Sequence, residues 1–255
     1  MITIDDKLMN LMSWNNVLVL LLISYLTGHF IAYFSSLTIE KFALWHYQYP
    51  SKYLMGEKTP KSGYFKYMYL KKDKKTNWKK FILSIWKIGL VIILLPISIL
   101  SLIIGRVFNL NVFVLKPLDP YLQKCVRTKA GILIKKLNLP AINNIESKEV
   151  DYLRIIYHYE YEKNIKQSKK MDNYVALYGF LRSVSLIFVL LFDFLLYKSL
   201  LSINFSYDVN QSFLLLMLIV GLVSYIFYLG FMKFYRRYTL ECYMALITDE
   251  SLTNA

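Results

Sequence analysis

The chain has 255 residues and a formal charge of +14, from 31 Lys and Arg against 17 Asp and Glu, yet 56% of it is apolar and 16% aromatic. That apolar share is high for a water-soluble domain. It stands in blocks at 17–37, 81–115, 174–200 and 212–232, each long enough to cross the ~30 Å hydrocarbon core as about 20 helical residues. Composition therefore predicts an all-α, polytopic helical membrane protein with about four hydrophobic segments, and it argues against reading the basic charge as a nucleic-acid surface. The lipid bilayer is the first partner implied, and nothing calls for a cofactor.

The N-terminal membrane segments cover residues 14–118. Residues 14–37 read as a retained span: Asp5, Asp6 and Lys7 precede it in place of a basic leader, and no small-x-small cleavage site follows. Gly28, Ala32 and Ser36 recur along it at four-residue steps, a small-residue stripe that admits a second helix closely. Tyr25, His29, Tyr33 and Ser36 form a polar-aromatic stripe beside it. The loop 38–80 carries eleven Lys and Arg. Residues 81–115 hold Pro96 near the middle, with Gly89, Gly105 and Arg106 as further breaks. They read as a span or as a re-entrant hairpin in which Ser84, Ser98 and Ser101 satisfy backbone groups freed by the proline.

Residues 119–172 read as an amphipathic helical cytoplasmic region. Asp119 and Pro120 have the chemistry of an N-cap and a first helical residue. Leu122, Val126, Leu133 and Leu137 share one face, and Pro140 ends the helix. Lys124, Arg127, Lys129, Lys135 and Lys136 fill much of the rest, which suits a helix lying along lipid headgroups or meeting a partner. A second helix is predicted over 148–170, with Val150, Leu153, Tyr157, Tyr161 and Ile165 as its apolar stripe. Arg154, His158, Glu162 and Lys166 make an i, i+4 ladder of the kind that is ordinarily solvated. His158 and Glu162 could ligate a metal, but one pair is too few for a site, and Cys125 and Cys242 match no metal or redox spacing. Residues 173–255 form a C-terminal membrane hairpin, 173–200 and 212–234, with a helical cytoplasmic tail in which Arg237 and Glu241 stand one turn apart. Tyr178, Arg182, Ser185 and Asp193 align along its first arm, and Gly221, Tyr225, Tyr228 and Met232 along its second.

Residues 106–173 hold thirteen Lys and Arg and the tail after Met232 three, whereas the loop 201–211 holds none and the first thirteen residues one. Four plain spans would put the basic loop 38–80 on the same side as the charge-free loop. A re-entrant second block places all the basic loops in the cytoplasm, as the positive-inside rule asks; four plain spans stay open because the rule weakens beyond about 60 residues. In the re-entrant topology the first and third segments run antiparallel. His29 and Glu40 are eleven residues apart, as are Arg182 and Asp193, about three helical turns. Antiparallel packing then predicts Glu40 against Arg182 and His29 against Asp193, since ionisable groups in a membrane pair inside the bundle. The expected intramembrane polar cluster is His29, Tyr33, Ser36, Glu40, Tyr178, Arg182, Ser185 and Asp193.

The segment Leu177-Tyr178-Gly179-Phe180-Leu181-Arg182-Ser183-Val184-Ser185 resembles an LYGF-x-R-[NS]-x-S segment of uncharacterised bacterial multi-pass membrane proteins. Ser35-Ser36-Leu37-Thr38-Ile39-Glu40-Lys41 with Tyr49-Pro50-Ser51, and Lys233-Phe234-Tyr235-Arg236-Arg237-Tyr238-Thr239-Leu240-Glu241, resemble the same group. The resemblance implies a multi-pass protein of the bacterial cytoplasmic (inner) membrane, in a setting such as a phage-defence or mobile-element locus. It transfers no activity.

Three functions fit these features. Buried charges, inward hydroxyls, a close-packing stripe and a basic region 106–173 able to receive a cytosolic protein or small-molecule signal favour a homo-oligomeric channel-like or membrane-disrupting effector, although no selectivity-filter sequence is visible. A membrane-embedded enzyme acting on lipid or a lipid-linked substrate could draw a base from His29 with Asp193. No nucleophile, zinc motif or carboxylate pair accompanies them, which weighs against catalysis. The third is a membrane anchor for a cytosolic partner. A transporter is disfavoured because no internal repeat is apparent.

Overall fold

The computed structural model describes residues 14–56, 77–107, 115–139, 152–163, 165–204 and 211–252. Residues 57–76 of the basic loop 38–80, Val150, Pro140 and most of the charge-free loop lie outside the described residues, and the described part of 38–80 is largely helical rather than loop. The described elements are all helical: α1 (Trp14–Ser35), a π-helical turn (Ser36–Glu40), α2 (Lys41–Tyr47), α3 (Pro50–Leu54), α4 (Asn77–Ile93), α5 (Leu95–Val107), α6 (Pro120–Lys136), α7 (Leu153–Lys163), α8 (Ile165–Asn204), α9 (Gln211–Thr248) and a 3-10 turn (Glu250–Leu252). Three stretches, Val17–Leu54, Ile165–Leu201 and Gln211–Thr248, are long and apolar enough to cross a membrane, and the bent pair α4–α5 makes up to four.

The spine is the antiparallel pair α8 and α9. Lys170 bonds Glu241 at 2.6 Å, Tyr178 packs on Tyr235 at 5.1 Å between ring centroids, and the Ser185 hydroxyl donates to the Ser224 carbonyl at 2.9 Å. At 40 and 38 residues and 1.5 Å per residue, each helix is nearly twice as long as the ~30 Å hydrocarbon core. Lipid-facing apolar side chains line α8 from Phe180 to Leu201 and α9 from Leu214 to Ile226, and no large apolar side chain of α9 is exposed beyond Ile226.

One apolar core, with Ile39, Phe42, Leu94, Ile97, Val189, Tyr228 and Phe231, unites the ends of the first and bent segments with α8 and α9. A second, with Tyr53, Leu54, Val126, Leu133, Ile156, Met171, Cys242 and Leu246, lies at the far end of the spine. The chain passes from one to the other through two short helices. Gln48 ends α2 at φ 65, Tyr49 is extended before Pro50, and Pro50 opens α3. Gly56 follows at φ +71, a backbone conformation that favours glycine, and a Cβ there would stand 2.9 Å from the flexible Gln123 side-chain Oε1.

Pro96 breaks the second block as expected. It lies in the first turn of α5, where its missing N–H is harmless, and the two arms meet at 86°. The Ser98 hydroxyl donates to the Val91 carbonyl across the bend at 3.4 Å. Ser101 bonds within its own turn, to Ser98 O at 3.1 Å, and Ser84 sits too far before the bend to take part.

Four expectations change outside the membrane core. The helix predicted over 148–170 is two helices, α7 and α8, with the poor helix former Asn164 between them in sequence. Its buried face is Ile156 and Glu160, whereas Tyr161 and Ile165 are exposed, because α7 packs against α9 rather than lying alone. The apolar face of α6 is likewise spent inside the protein: Val126, Ala130 and Leu133 are buried in the second core and Ile134 is buried too, so this face is covered by protein. Its Asp119 caps it, accepting from Leu122 N at 2.8 Å, and Leu137 is exposed at its end. Finally, Glu241 turns from Arg237 to Lys170 on α8, since an interhelical partner fixed by packing is available.

Gly221 lies where α5, α8 and α9 converge, with an added Cβ 3.3 Å from the Phe192 ring and 3.6 Å from Pro96. Gly221→Leu should therefore destabilise the detergent-solubilised protein by about 1–3 kcal/mol through overpacking. Gly131→Ala, with nothing within 4 Å of the new Cβ, should stabilise it by about 1 kcal/mol through helix propensity. Denaturant titration followed by circular dichroism would check both signs.

Candidate functional site

The charged site of the bundle begins with a defect in a helix. Between Ser36 and Glu40 the first segment widens into a π turn. Hydroxyls around it bond back to the helix: Ser35 donates to Ala32 O at 2.8 Å, Ser36 to Tyr33 O at 2.7 Å and Thr38 to Phe34 O at 2.8 Å. The wider turn also swings Glu40 toward α8. There Arg182 donates through Nη1 to Glu40 Oε2, through Nε to Ser35 Oγ at 3.1 Å and through Nη2 to Ala32 O at 3.4 Å. Its three nitrogens thus all have acceptors, which a guanidinium held in an apolar bundle requires. The side chains are 12% (Arg182) and 25% (Glu40) exposed.

Ser35 is the residue that the small-residue stripe missed. It is fully buried and lies 3.4 Å, oxygen to oxygen, from Ser183 on α8, whose hydroxyl donates to Gly179 O at 3.0 Å. Gly179 and Ser183 are themselves a small-xxx-small pair, and that spacing was the available signal. Of the predicted stripe, Ala32 meets α8, Ser36 bonds only its own helix among the described residues, and a Cβ on Gly28 would meet nothing within 4 Å.

His29 and Asp193 do not meet. His29 is exposed, with its ring against Tyr25 at 4.4 Å. Asp193 is half-buried, and among the described residues it has no hydrogen bond or ion pair. The cause is register. Ser35 faces Ser183, which sets His29 level with Val189, one turn short of Asp193. An arginine is long enough to bridge a turn and reach Glu40, whereas an imidazole is not. Tyr33 is exposed, and Tyr178 and Ser185 face α9 rather than α1. The expected eight-residue cluster thus divides into a tight knot of Glu40, Arg182 and Ser35 and scattered remaining members. On α9, Gly221, Tyr225, Tyr228 and Met232 are buried as their spacing predicts.

A second polar cluster, unforeseen in the sequence, closes the far end of the spine. Asp249 accepts from Lys163 Nζ, from the Tyr159 hydroxyl at 3.0 Å and from Ser251 N at 2.9 Å. Burial pushes its carboxyl up, but the hydrogen bonds from Lys163, Ser251 and Tyr159 prevail and hold it at about 2. Lys163 is raised, since Asp249 outweighs the desolvation that would lower it. Glu160, on the buried face of α7, is raised by burial and then by Asp249, and its Oε1 is unpartnered. Of the five basic residues predicted on α6, Lys129 bonds Asp249 O at 2.6 Å and Arg127 bonds Met55 O at 3.2 Å; Lys124, Lys135 and Lys136 are exposed. His158 and Glu162 are exposed, and among the described residues no group of three potential metal ligands forms.

Comparison with protein-family models, with curated proteins and with solved structures gave no match.

Glu40→Ala and Arg182→Ala should each cost about 3–5 kcal/mol, because either leaves a desolvated charge alone, and the double mutant should cost well under the sum. Ser35→Ala should cost nearer 0.6 kcal/mol, as single polar contacts in membrane bundles do. Unfolding titrations in a double-mutant cycle give these values.

Asp249 gives a pH signature. Its folded value, about 2, lies below its ordinary 3.8, so its contribution is complete above pH ~4 and fades as pH falls through 2. Asp249→Asn should lower the melting temperature at pH 7, and the gap to the parent protein should close at pH 2.

Proposed function

We propose that this is a homo-oligomeric, channel-like or membrane-perturbing effector of a bacterial inner membrane, with α1 as the helix that joins copies. One observation supports the reading above others: α1 is bare. Leu18 to Ile23, Tyr25, Leu26, Phe30, Tyr33 and Phe34 are all more than two-fifths exposed, around the whole circumference of the helix. Lipid can cover such a surface, but the stretch also carries His29, a polar ring in mid-hydrocarbon, beside Gly28, where a neighbouring backbone could come close. Polar side chains at that depth turn toward protein, and small residues mark close helix approach. A second copy of α1 would provide both.

The knot of Glu40, Arg182 and Ser35 supports the same reading. It fixes only the C-terminal end of the first segment to α8 and leaves the rest free to associate. The 86° bend of α4–α5 suits a re-entrant arm, which would set α1 antiparallel to α8 and all basic loops on one side. The resemblance of the Leu177–Ser185 segment to bacterial multi-pass proteins supports the defence setting. The enzyme alternative loses its base with the separation of His29 from Asp193. The anchor alternative retains one support, the exposed basic side chains Lys124, Lys135 and Lys136 on α6.

Gly28→Leu and His29→Leu test the reading. Both should leave the melting temperature of the detergent-solubilised monomer unchanged while dissociating oligomers in lipid nanodiscs, measured by mass photometry, and abolishing conductance in planar bilayers. A parent protein that is monomeric in nanodiscs and silent in bilayers would overturn it.

A further inference from the structure

Three lysines from two helices crowd around the C-terminal turn, where Asp249 and Glu250 lie in sequence and Glu160 of α7 is close enough to feel both Asp249 and Lys163. Lys163 is paired with Asp249. The other two have no carboxylate partner among the described residues: Lys129 Nζ bonds the Asp249 backbone carbonyl at 2.6 Å, and Lys136 Nζ bonds only hydroxyls, Ser251 Oγ at 3.2 Å and Tyr159 Oη at 3.4 Å. Lys163 Nζ also reaches Ser251 Oγ, at 2.7 Å. Lys136 and Lys163 stand 5.8 and 5.5 Å from the centre of the Tyr159 ring, so two cations lie against that ring. Like charges this close repel, and of the three ammonium groups only Lys163 forms a salt bridge with Asp249. The cluster also retains unused N–H donors, since each ammonium has three; the Ser251 and Tyr159 hydroxyls donate to Asp249 Oδ2, at 3.2 and 3.0 Å.

We propose that Lys129, Lys136 and Lys163, with Tyr159 and Ser251, bind the phosphate group of a soluble phosphorylated small molecule. Phosphate chemistry fits because several point-like ammonium donors converge on one place, and a phosphoryl group presents several strong acceptors to them. Depth selects a soluble source over a lipid headgroup. The exposed apolar surface of α9 ends at Ile226, and Asp249 follows more than six helical turns later, about 34 Å along the axis at 1.5 Å per residue. Headgroup regions add only about 5–8 Å to each side of the hydrocarbon. Because α7 and α6 both pack on α9, an anion that draws Lys136 of α6 and Lys163 of α7 together clamps the end of the same helix that crosses the bundle.

The test uses full-length protein in neutral detergent at fixed ionic strength, with pyrophosphate as probe. Pyrophosphate should raise the melting temperature saturably, and Lys136→Gln should weaken half-saturation at least tenfold. Lys136 is exposed and has no carboxylate partner among the described residues, so this variant should fold like the parent; Lys198→Gln, remote from the cluster on α8, should bind like the parent. A second arm compares phosphatidylcholine nanodiscs with nanodiscs containing phosphatidic acid, without free phosphate, and should show no Lys136-dependent stabilisation. No saturable shift with pyrophosphate would overturn the proposal, as would a shift that Lys136→Gln leaves intact, which is ionic screening. Lys136-dependent stabilisation by phosphatidic acid alone would assign the cluster to lipid and overturn the soluble ligand.

Discussion

A guanidinium cannot stay in an apolar bundle without acceptors for its donors, and the junction of the first segment with the rest of the protein is organised around that requirement. Arg182 is met by Glu40, Ser35 and the Ala32 carbonyl, which are three levels of one helix. An unbroken α-helix would carry Glu40 round to the face that holds His29. The π turn alters that rotation, and the hydroxyls of Ser35, Ser36 and Thr38 bond back to carbonyls of the turn before it. Defect, hydroxyls and ion pair form one device, and each part is costly without the others.

The device also explains an asymmetry in packing. The first segment is buried from Ser35 onward, at Thr38, Ile39, Phe42 and Ala43, and bare before it. In water such a helix would not persist. In a bilayer its backbone bonds are all internal, so it can stand with little support, and the uncovered side remains available to lipid or to another copy.

The second organising element is the length of α8 and α9. Both exceed the hydrocarbon thickness, so the apolar bundle and the lysine-rich end are parts of one rigid pair. The end beyond the bilayer is closed by α3, α6 and α7, whose apolar faces meet Cys242, Tyr243 and Leu246 of α9. Charge there is concentrated around Asp249, whose main-chain and side-chain oxygens receive Lys129, Lys163 and Tyr159.

The sequence by itself determined the membrane class, the long apolar helices, the bend at Pro96 and the cap at Asp119, because these depend on local properties: apolar length, a missing N–H, a short side-chain acceptor. The attraction of Arg182 for Glu40 was legible too, since buried charges have few possible partners. Only the tertiary structure decided which residues share a level. Helical arithmetic assumed 3.6 residues per turn throughout the first segment and a register fixed by the charges. The π turn changed the rotation, and close contact of Ser35 with Ser183 set the register one turn away, which left His29 and Asp193 apart. The faces of α6 and α7 were equally undetermined, because an amphipathic pattern states that a face is covered and not whether lipid or protein covers it. The lysine cluster at Asp249 joins residues more than a hundred positions apart in the chain, and no local pattern encodes such a meeting.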